Sequence, residues 1–322
     1  MTRHSRWPNL FLVGAAKAGT TSVYNHLDRH PAIYMSPMKE PHFFSRIEPA
    51  PRWRDFFPHV ANEGDYLALF AGATNEDFLG EASTSYLWDR QAAERIKRVV
   101  PEARILIMLR DPIDRAYSQY WNDVREGIER RSFLDALREE NRSGPGRWGV
   151  SSLYIDCGRY ADQVEAYLDR FGVRVHVSFF EHLARDEARA IGEIHTFLGV
   201  GPARSGTPPR RMNPTSLPRN KVSRALFASG RLRRVVRATV PRPMRSRLRG
   251  ALLKEAIPPP MEPAARTLLT DIFRPEVTRL AELLGWDRLR GAGWSVALLE
   301  GDVGGEAGPS DGPQQVAGQR DE

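Results

Sequence analysis

Short, nearly unbroken apolar runs alternate with amphipathic stretches through the first two hundred residues. Leu10 to Val13 and Arg104 to Leu109 (RILIML) lack the polar alternation of a half-exposed strand, so the pattern predicts central parallel strands covered on both faces. Val173 to Phe180 (VRVHVSFF) alternates more and is expected nearer an edge, with weaker strands over Ala32 to Met35 and Phe78 to Gly80. Between them the spacing predicts helices over Thr20 to His30, Asp89 to Val100, Ile113 to Glu126, Tyr160 to Arg170 and Arg185 to Leu198. This alternation argues a three-layer α/β fold, a P-loop-like parallel sheet flanked by helices and joined by right-handed crossovers.

After Gly199 the texture changes. Gly201 to Pro218 reads as a loop, Val222 to Arg249 as a basic and partly helical segment, and Met261 to Leu284 as an amphipathic helix. The expected organisation is one domain over residues 1–300, with a motif-bearing core over 8–200 and a basic helical extension over 201–300. Residues 301–322 have too little apolar surface to offset ordering entropy and read as a disordered tail.

Charge sharpens this division. The net charge is +7, but Arg210 to Gly250 holds thirteen Arg or Lys and no acid, whereas Glu300 to Glu322 holds six acids and one Arg. Dense Arg without acids attracts anions, so residues 210–250 could meet an anionic donor, an acidic acceptor or an anionic membrane surface, or form a solvated face. Cys157 is the only cysteine, which excludes an internal disulfide and a multi-cysteine zinc site. No apolar run reaches the roughly 18 residues that span a bilayer, and no leader pattern precedes the first strand, so the expected location is the cytoplasm.

Three constellations carry chemistry. Gly14-Ala-Ala-Lys17-Ala18-Gly19-Thr20-Thr21-Ser22 follows the first strand and opens the first helix, placing two glycines, a lysine and three hydroxyls where helix N–H groups face an anion. Its lysine precedes the second glycine, unlike G-x-x-x-x-G-K-[ST]. The loop by itself leaves ATP, another phosphate ligand or a plain tight turn open. A second anion site is suggested by Arg110, at the end of an apolar strand, with Pro112 opening a helix that carries Ser118. The third is Lys39-Glu40-Pro41-His42-Phe43-Phe44, where a carboxylate and an imidazole beside aromatics could form a partly desolvated base. His42 has no partner at zinc-ligand spacing.

Taken in register, these segments resemble the sulfotransferases that use 3'-phosphoadenosine 5'-phosphosulfate (PAPS), particularly the bacterial group related to heparan sulfate sulfotransferases. Weaker agreement continues through Gly158-Arg159-Tyr160, Ser178 to Leu183 and Phe197 to Val200. The resemblance implies that Lys17 neutralises the leaving phosphate, that Lys17, Ala18, Gly19, Thr20, Thr21 and Ser22 hold the 5'-phosphate, and that Arg110 and Ser118 hold the 3'-phosphate. It implies Glu40 as general base, His42 orienting it or the acceptor, Arg219 or Lys221 closing over the donor, and no metal. The implied acceptor is a hydroxyl, less favourably an amine, of a carbohydrate, glycolipid or small metabolite. One departure stands out: Gly80-Glu81-Ala82 has alanine where many relatives have lysine.

A P-loop kinase or nucleotide hydrolase is the rival enzyme class, disfavoured by the early lysine. A basic nucleic-acid-binding protein is the third reading, disfavoured because the basic stretch lacks interleaved aromatics, and no nucleic-acid partner is expected. Acceptor specificity is assigned to loops around Arg46 to Glu63 and Asn141 to Ser152 and to the basic extension.

Overall fold

The computed structural model describes residues 6–46, 59–143, 152–202, 216–218, 253–255 and 258–299. In chain order the core runs β1 (Leu10–Gly14), α1 (Thr20–Leu27), β2 (Ile33–Met35), α2 (Glu63–Ala68), β3 (Phe78–Ala82), α3 (Ser85–Trp88) and α4 (Ala92–Val99). It continues through β4 (Arg104–Leu109), α5 (Pro112–Arg125), α6 (Phe133–Ser143), α7 (Tyr160–Phe171), β5 (Val175–Phe179), α8 (Phe180–Arg185) and α9 (Glu187–Leu198). The C-terminal part adds β6 (Ser216–Pro218), β7 (Leu253–Glu255), α10 (Pro263–Leu284), α11 (Trp286–Ala292) and α12 (Val296–Leu299).

β1 to β5 form one parallel sheet in the order β2-β3-β1-β4-β5. The two purest apolar runs, β1 and β4, lie inside it, and β5 is an edge, as their patterns predicted. The chain leaves β1 toward β2 and β3, then crosses back to β4. The crevice between the carboxyl ends of β1 and β4 is therefore the place where an open α/β sheet receives ligands.

Local chemistry sets the element ends. Asp111 caps α5 by accepting from the Ile113 amide (2.9 Å) and the Asp114 amide (3.3 Å), and Pro112 occupies the first turn, where a missing N–H costs nothing. Several predicted elements end differently: α1 stops at Leu27 rather than His30, and α4 begins at Ala92 rather than Asp89. The helix expected over Arg185 to Leu198 breaks at Asp186, whose carboxylate caps α9 at the Arg189 amide (3.0 Å). The strand expected over Val173 to Phe180 begins only at Val175, because Gly172–Arg174 form a 3-10 turn, and Phe180 already opens α8. α2, α3, α6, α11, α12 and β7 were not predicted, and β6 falls at the end of the stretch Gly201 to Pro218, expected to be a loop, where it pairs antiparallel with β7.

The C-terminal helices complete the core. Phe273 of α10 lies so close to Gly158 that a Cβ there would fall 2.6 Å from its ring. Ser295 donates from both its amide (2.9 Å) and its hydroxyl (2.7 Å) to Asp111 Oδ2, tying the segment before α12 to the start of α5. Among the described residues no helix is long and apolar enough to cross a membrane. The basic stretch 210–250 apart from Ser216–Pro218, Arg219 itself, the tail 301–322 and most of the two loops expected to set acceptor specificity lie outside the described residues.

Candidate active site

At the end of β1 the chain turns through two glycines, each required by a close approach. A Cβ on Gly14 would fall 2.7 Å from Leu87 Cβ; one on Gly19, whose φ is 83°, would fall 2.9 Å from the Phe180 ring. The turn leaves the amides of Gly19, Thr20 and Thr21 without a hydrogen-bond partner among the described residues, at the N-terminus of α1. Such donors suit an anion. Ser22 is committed elsewhere: its amide donates to Gly19 O (2.9 Å) and its hydroxyl to Glu187 Oε1 on α9 (2.8 Å). Two predicted cradle residues are therefore not free to donate: Ser22 is turned toward α9, and the Ala18 amide is spent on Ala15 O (3.2 Å) within the turn.

Arg110 leaves β4 beside this loop. Its Nη1 donates to Lys17 O (3.3 Å), and its guanidinium stacks over the Phe180 ring (4.5 Å), the same ring that packs against Gly19. The two predicted anion sites are therefore neighbours. Ser118 is half-buried on α5, two turns beyond Arg110.

Lys17 sits in the left-handed region at φ 69°, and its Nζ donates to Asn122 Oδ1 on α5 (3.4 Å). Burial, then the charges of Arg125 and Arg110, pull its amine down to about 8 against partial opposition from Asp123 and Glu126. An ammonium crowded by two guanidiniums gains strongly from an arriving anion.

Glu40 and His42 follow β2, and both also have left-handed backbones, at φ 65° and 57°. Among the described residues only four non-glycine positions have positive φ, and three are Lys17, Glu40 and His42. Each such conformation costs on the order of 1–3 kcal/mol and persists where its surroundings enforce it, a pattern typical of functional sites. Here the enforcing contacts are visible. The Glu40 amide donates to Ala82 O (2.8 Å), and Glu40 Oε2 accepts from the Thr84 amide (2.7 Å) and hydroxyl (3.2 Å). The His42 amide donates to Ser83 Oγ (3.0 Å). The end of β3 thus holds the Glu40–His42 segment, and the same Thr84 faces Gly14, whose Cβ would fall 3.4 Å from Thr84 O.

Lys39 Nζ pairs with Glu40 Oε1 at 2.6 Å. Burial opposes the charged carboxylate, but Lys39, His42 and the Thr84 amide outweigh it and hold Glu40 below the ordinary carboxyl value. His42 Nε2 lies 3.8 Å from Glu40 Oε2, too far for a hydrogen bond but close enough for charge attraction. Its Nδ1 meets Ser85 Oγ (2.7 Å), which in turn meets Ser45 Oγ (2.6 Å). Burial holds His42 below the usual imidazole value, with Glu40 opposing.

Beneath this pair lies a group the sequence did not reveal. Glu81 is wholly buried and accepts from Tyr66 (2.7 Å), Tyr86 (2.6 Å) and Ser83 (2.8 Å); burial outweighs these donors and pushes its carboxyl up to about 7. Through Ser83 it supports the backbone of His42. Ala82 is also fully buried and brings no charge to the site. Asn122 and Arg125 were missed as well, although their spacing from Ser118 puts all three on one helix face.

A profile described as "Sulfotransferase family" matches residues 8–203. The crystal structure of a sulfotransferase from Alicyclobacillus acidocaldarius superposes with a TM-score of 0.65 and 32% identity, covering 87% of this chain and 96% of that one. The bifunctional heparan sulfate N-deacetylase/N-sulfotransferase 3 of Mus musculus is 30% identical over 211 residues, covering 61% of this chain and 23% of that protein. Heparan sulfate glucosamine 3-O-sulfotransferase 6 of Homo sapiens is 29% identical over 198 residues, 61% of this chain and 53% of that protein. The chain thus spans about a quarter of the first of these curated relatives (23%) and about half of the second (53%).

Proposed function

The chain belongs to the sulfotransferase family, and from that premise we propose that it transfers a sulfuryl group from 3'-phosphoadenosine 5'-phosphosulfate to a hydroxyl of a carbohydrate, glycolipid or small metabolite. The transferring domain is residues 1–300. The observation that carries the reading is the convergence of Lys17, Arg110 and the unpartnered Gly19, Thr20 and Thr21 amides in the β1/β4 crevice. These groups fit a ligand with two phosphates: the loop amides and Lys17 take the 5'-phosphosulfate, while Arg110 with Ser118 takes the 3'-phosphate.

In this proposal the acceptor oxygen attacks sulfur in line with the bridging oxygen. The bond from sulfur to that oxygen breaks, its electron pair stays on the 5'-phosphate, and Lys17 stabilises the charge that develops there. The acceptor proton passes to Glu40. Its Oε1 already accepts from Lys39 but keeps a second lone pair for the acceptor, while the two Thr84 donors on Oε2 fix the carboxylate plane. His42, locked by Ser85 and by its own amide, positions the carboxylate from the side. A hydroxyl suits this arrangement better than an amine: it keeps a free lone pair at neutral pH and sheds its proton during attack, whereas an amine arrives largely as ammonium.

Calorimetry with 3',5'-bisphosphoadenosine in the absence of Mg²⁺ tests the donor, and labelled-sulfate transfer to a panel of sugars, glycolipids and phenols tests the reaction. Binding followed by transfer is expected. Tight magnesium-dependent ATP binding with no affinity for the bisphosphate would overturn the proposal.

A further inference from the structure

Ser118, Asn122 and Arg125 occur at i, i+4 and i+7 of α5, so they lie on one face. That face meets the phosphate loop, because Asn122 Oδ1 accepts from Lys17 Nζ at 3.4 Å. The same oxygen accepts from Arg125 Nη2 at 2.7 Å. Two cations from distant parts of the chain therefore share one neutral carbonyl oxygen. The orientation of the amide follows from its partners, since its Nδ2 is directed at Asp123 Oδ1 (3.5 Å). Asp123 is itself fixed by Gln119 Nε2 (2.7 Å), the Ser152 amide (2.7 Å) and the Tyr154 hydroxyl (3.2 Å).

The choice of amide matters electrostatically. A carboxylate at position 122 would neutralise the cations it holds; an amide fixes their geometry and leaves their charge for a ligand. Arg125 does have one carboxylate partner, Glu126 Oε1 on its Nε (3.1 Å), but its Nη1 carries no hydrogen bond among the described residues. Its side chain is only 17% exposed, so the unmet donor lies in a partly desolvated setting, where a charge contact counts for more than at the surface.

We propose that Arg125 is a second catalytic cation of the transfer step, meeting the sulfuryl oxygens beside Lys17, and that Asn122 is the positioning residue that holds both cations before the donor arrives. The inference rests on the sulfotransferase reading. In the step described above, the three oxygens of the sulfuryl group carry charge that Lys17, placed at the bridging oxygen, cannot reach alone. The planar guanidinium fork can engage two of them. The charged groups facing Lys17 are Arg125, Arg110, Asp123 and Glu126, from both α5 and the end of β4.

Arg125→Met, Arg125→Lys and Asn122→Asp test this, each checked for an unchanged melting temperature. For Arg125→Met, kcat for sulfate transfer should fall about a hundredfold, the effect of losing one preorganised charge contact. Affinity for 3',5'-bisphosphoadenosine, which has no sulfuryl group, should change less than about threefold by the same reasoning, because only the transferred group is touched. Arg125→Lys should recover part of the rate. The pH dependence of Lys17 acylation, read by peptide mass spectrometry, should shift upward in both Arg125→Met and Asn122→Asp. Undiminished kcat in a folded Arg125→Met protein overturns the catalytic role, and an unmoved Lys17 titration overturns the shared charge cluster. If the unsubstituted protein neither binds the bisphosphate nor transfers sulfate, the family-based function fails first and takes this proposal with it.

Discussion

Raising the pH from about 7 to about 9 should weaken binding of 3',5'-bisphosphoadenosine about tenfold, roughly 1.4 kcal/mol, through Lys17 alone. In the free protein burial and the charges of Arg125 and Arg110 pull the Lys17 amine down to about 8. A bound phosphate supplies the missing counter-charge and returns the amine toward its ordinary value of 10.5. At one pH unit above the free-protein midpoint, about one molecule in ten still carries the proton, so binding must take one up. The ligand's own phosphates complete their ionisation near pH 6 and stay silent in this window. Asp123, pushed up to about 6, and Glu81, at about 7, titrate at or below its lower edge. Calorimetry near pH 9 in two buffers of different ionisation enthalpy should reveal uptake of nearly one proton per ligand. Lys17→Arg should bind with a flat profile, and Lys17→Met should lose both the slope and most of the affinity. Unchanged affinity across the range, with no proton uptake, would refute the argument that the site is a cation cluster awaiting an anion.

Glu40→Gln should lower transfer about 10²- to 10⁴-fold, the usual contribution of a positioned base, while donor affinity stays within a few fold; equal turnover in the variant would remove Glu40 from its role. Gly19→Ala should destabilise the loop by about 1–2 kcal/mol through its left-handed backbone alone, and more through the 2.9 Å contact with Phe180; an unaltered melting temperature and bisphosphate affinity would contradict this. Glu81 gives a stability prediction with a definite sign. Its folded carboxyl lies at about 7 against an ordinary 4.5, so the protonated form is favoured in the folded state, and the contribution is full below about pH 4.5 and lost as pH rises through about 7, amounting to about 3 kcal/mol. Denaturant titrations of the unsubstituted protein and Glu81→Gln across that range should differ in slope, and parallel curves would show that Glu81 does not titrate there.

The local patterns of the sequence determined much of this protein. Apolar runs too short for helices and too continuous for exposed strands marked β1 and β4 as central, because burial on both faces leaves no place for polar alternation. Pro112 marked the start of α5, because a proline acts on its own backbone neighbours; the Asp111 cap beside it emerged only from the structure. Gly14, Lys17, Gly19, Thr20 and Thr21 announced an anion loop for the same reason: a turn into a helix is written in consecutive residues. The register of that loop with Arg110 and Glu40 then carried the resemblance to the sulfotransferase family.

What the sequence left open depends on contacts between residues far apart in the chain. Only the fold shows Ser22 turning to Glu187 on α9, because a hydroxyl's partner is chosen by what packs beside it, 165 positions away. Glu81 reads as one acid in a strand until Tyr66 and Tyr86 close over it and burial changes its proton affinity. Asn122 and Arg125 have no motif of their own. They acquire meaning because the parallel order β1-β4 sets α5 against the turn after β1, so that Lys17, 105 positions from Asn122, shares its carbonyl oxygen with Arg125. Electrostatics acts through space, and charges separated in sequence become a site only when tertiary packing brings them together and excludes the water that would screen them.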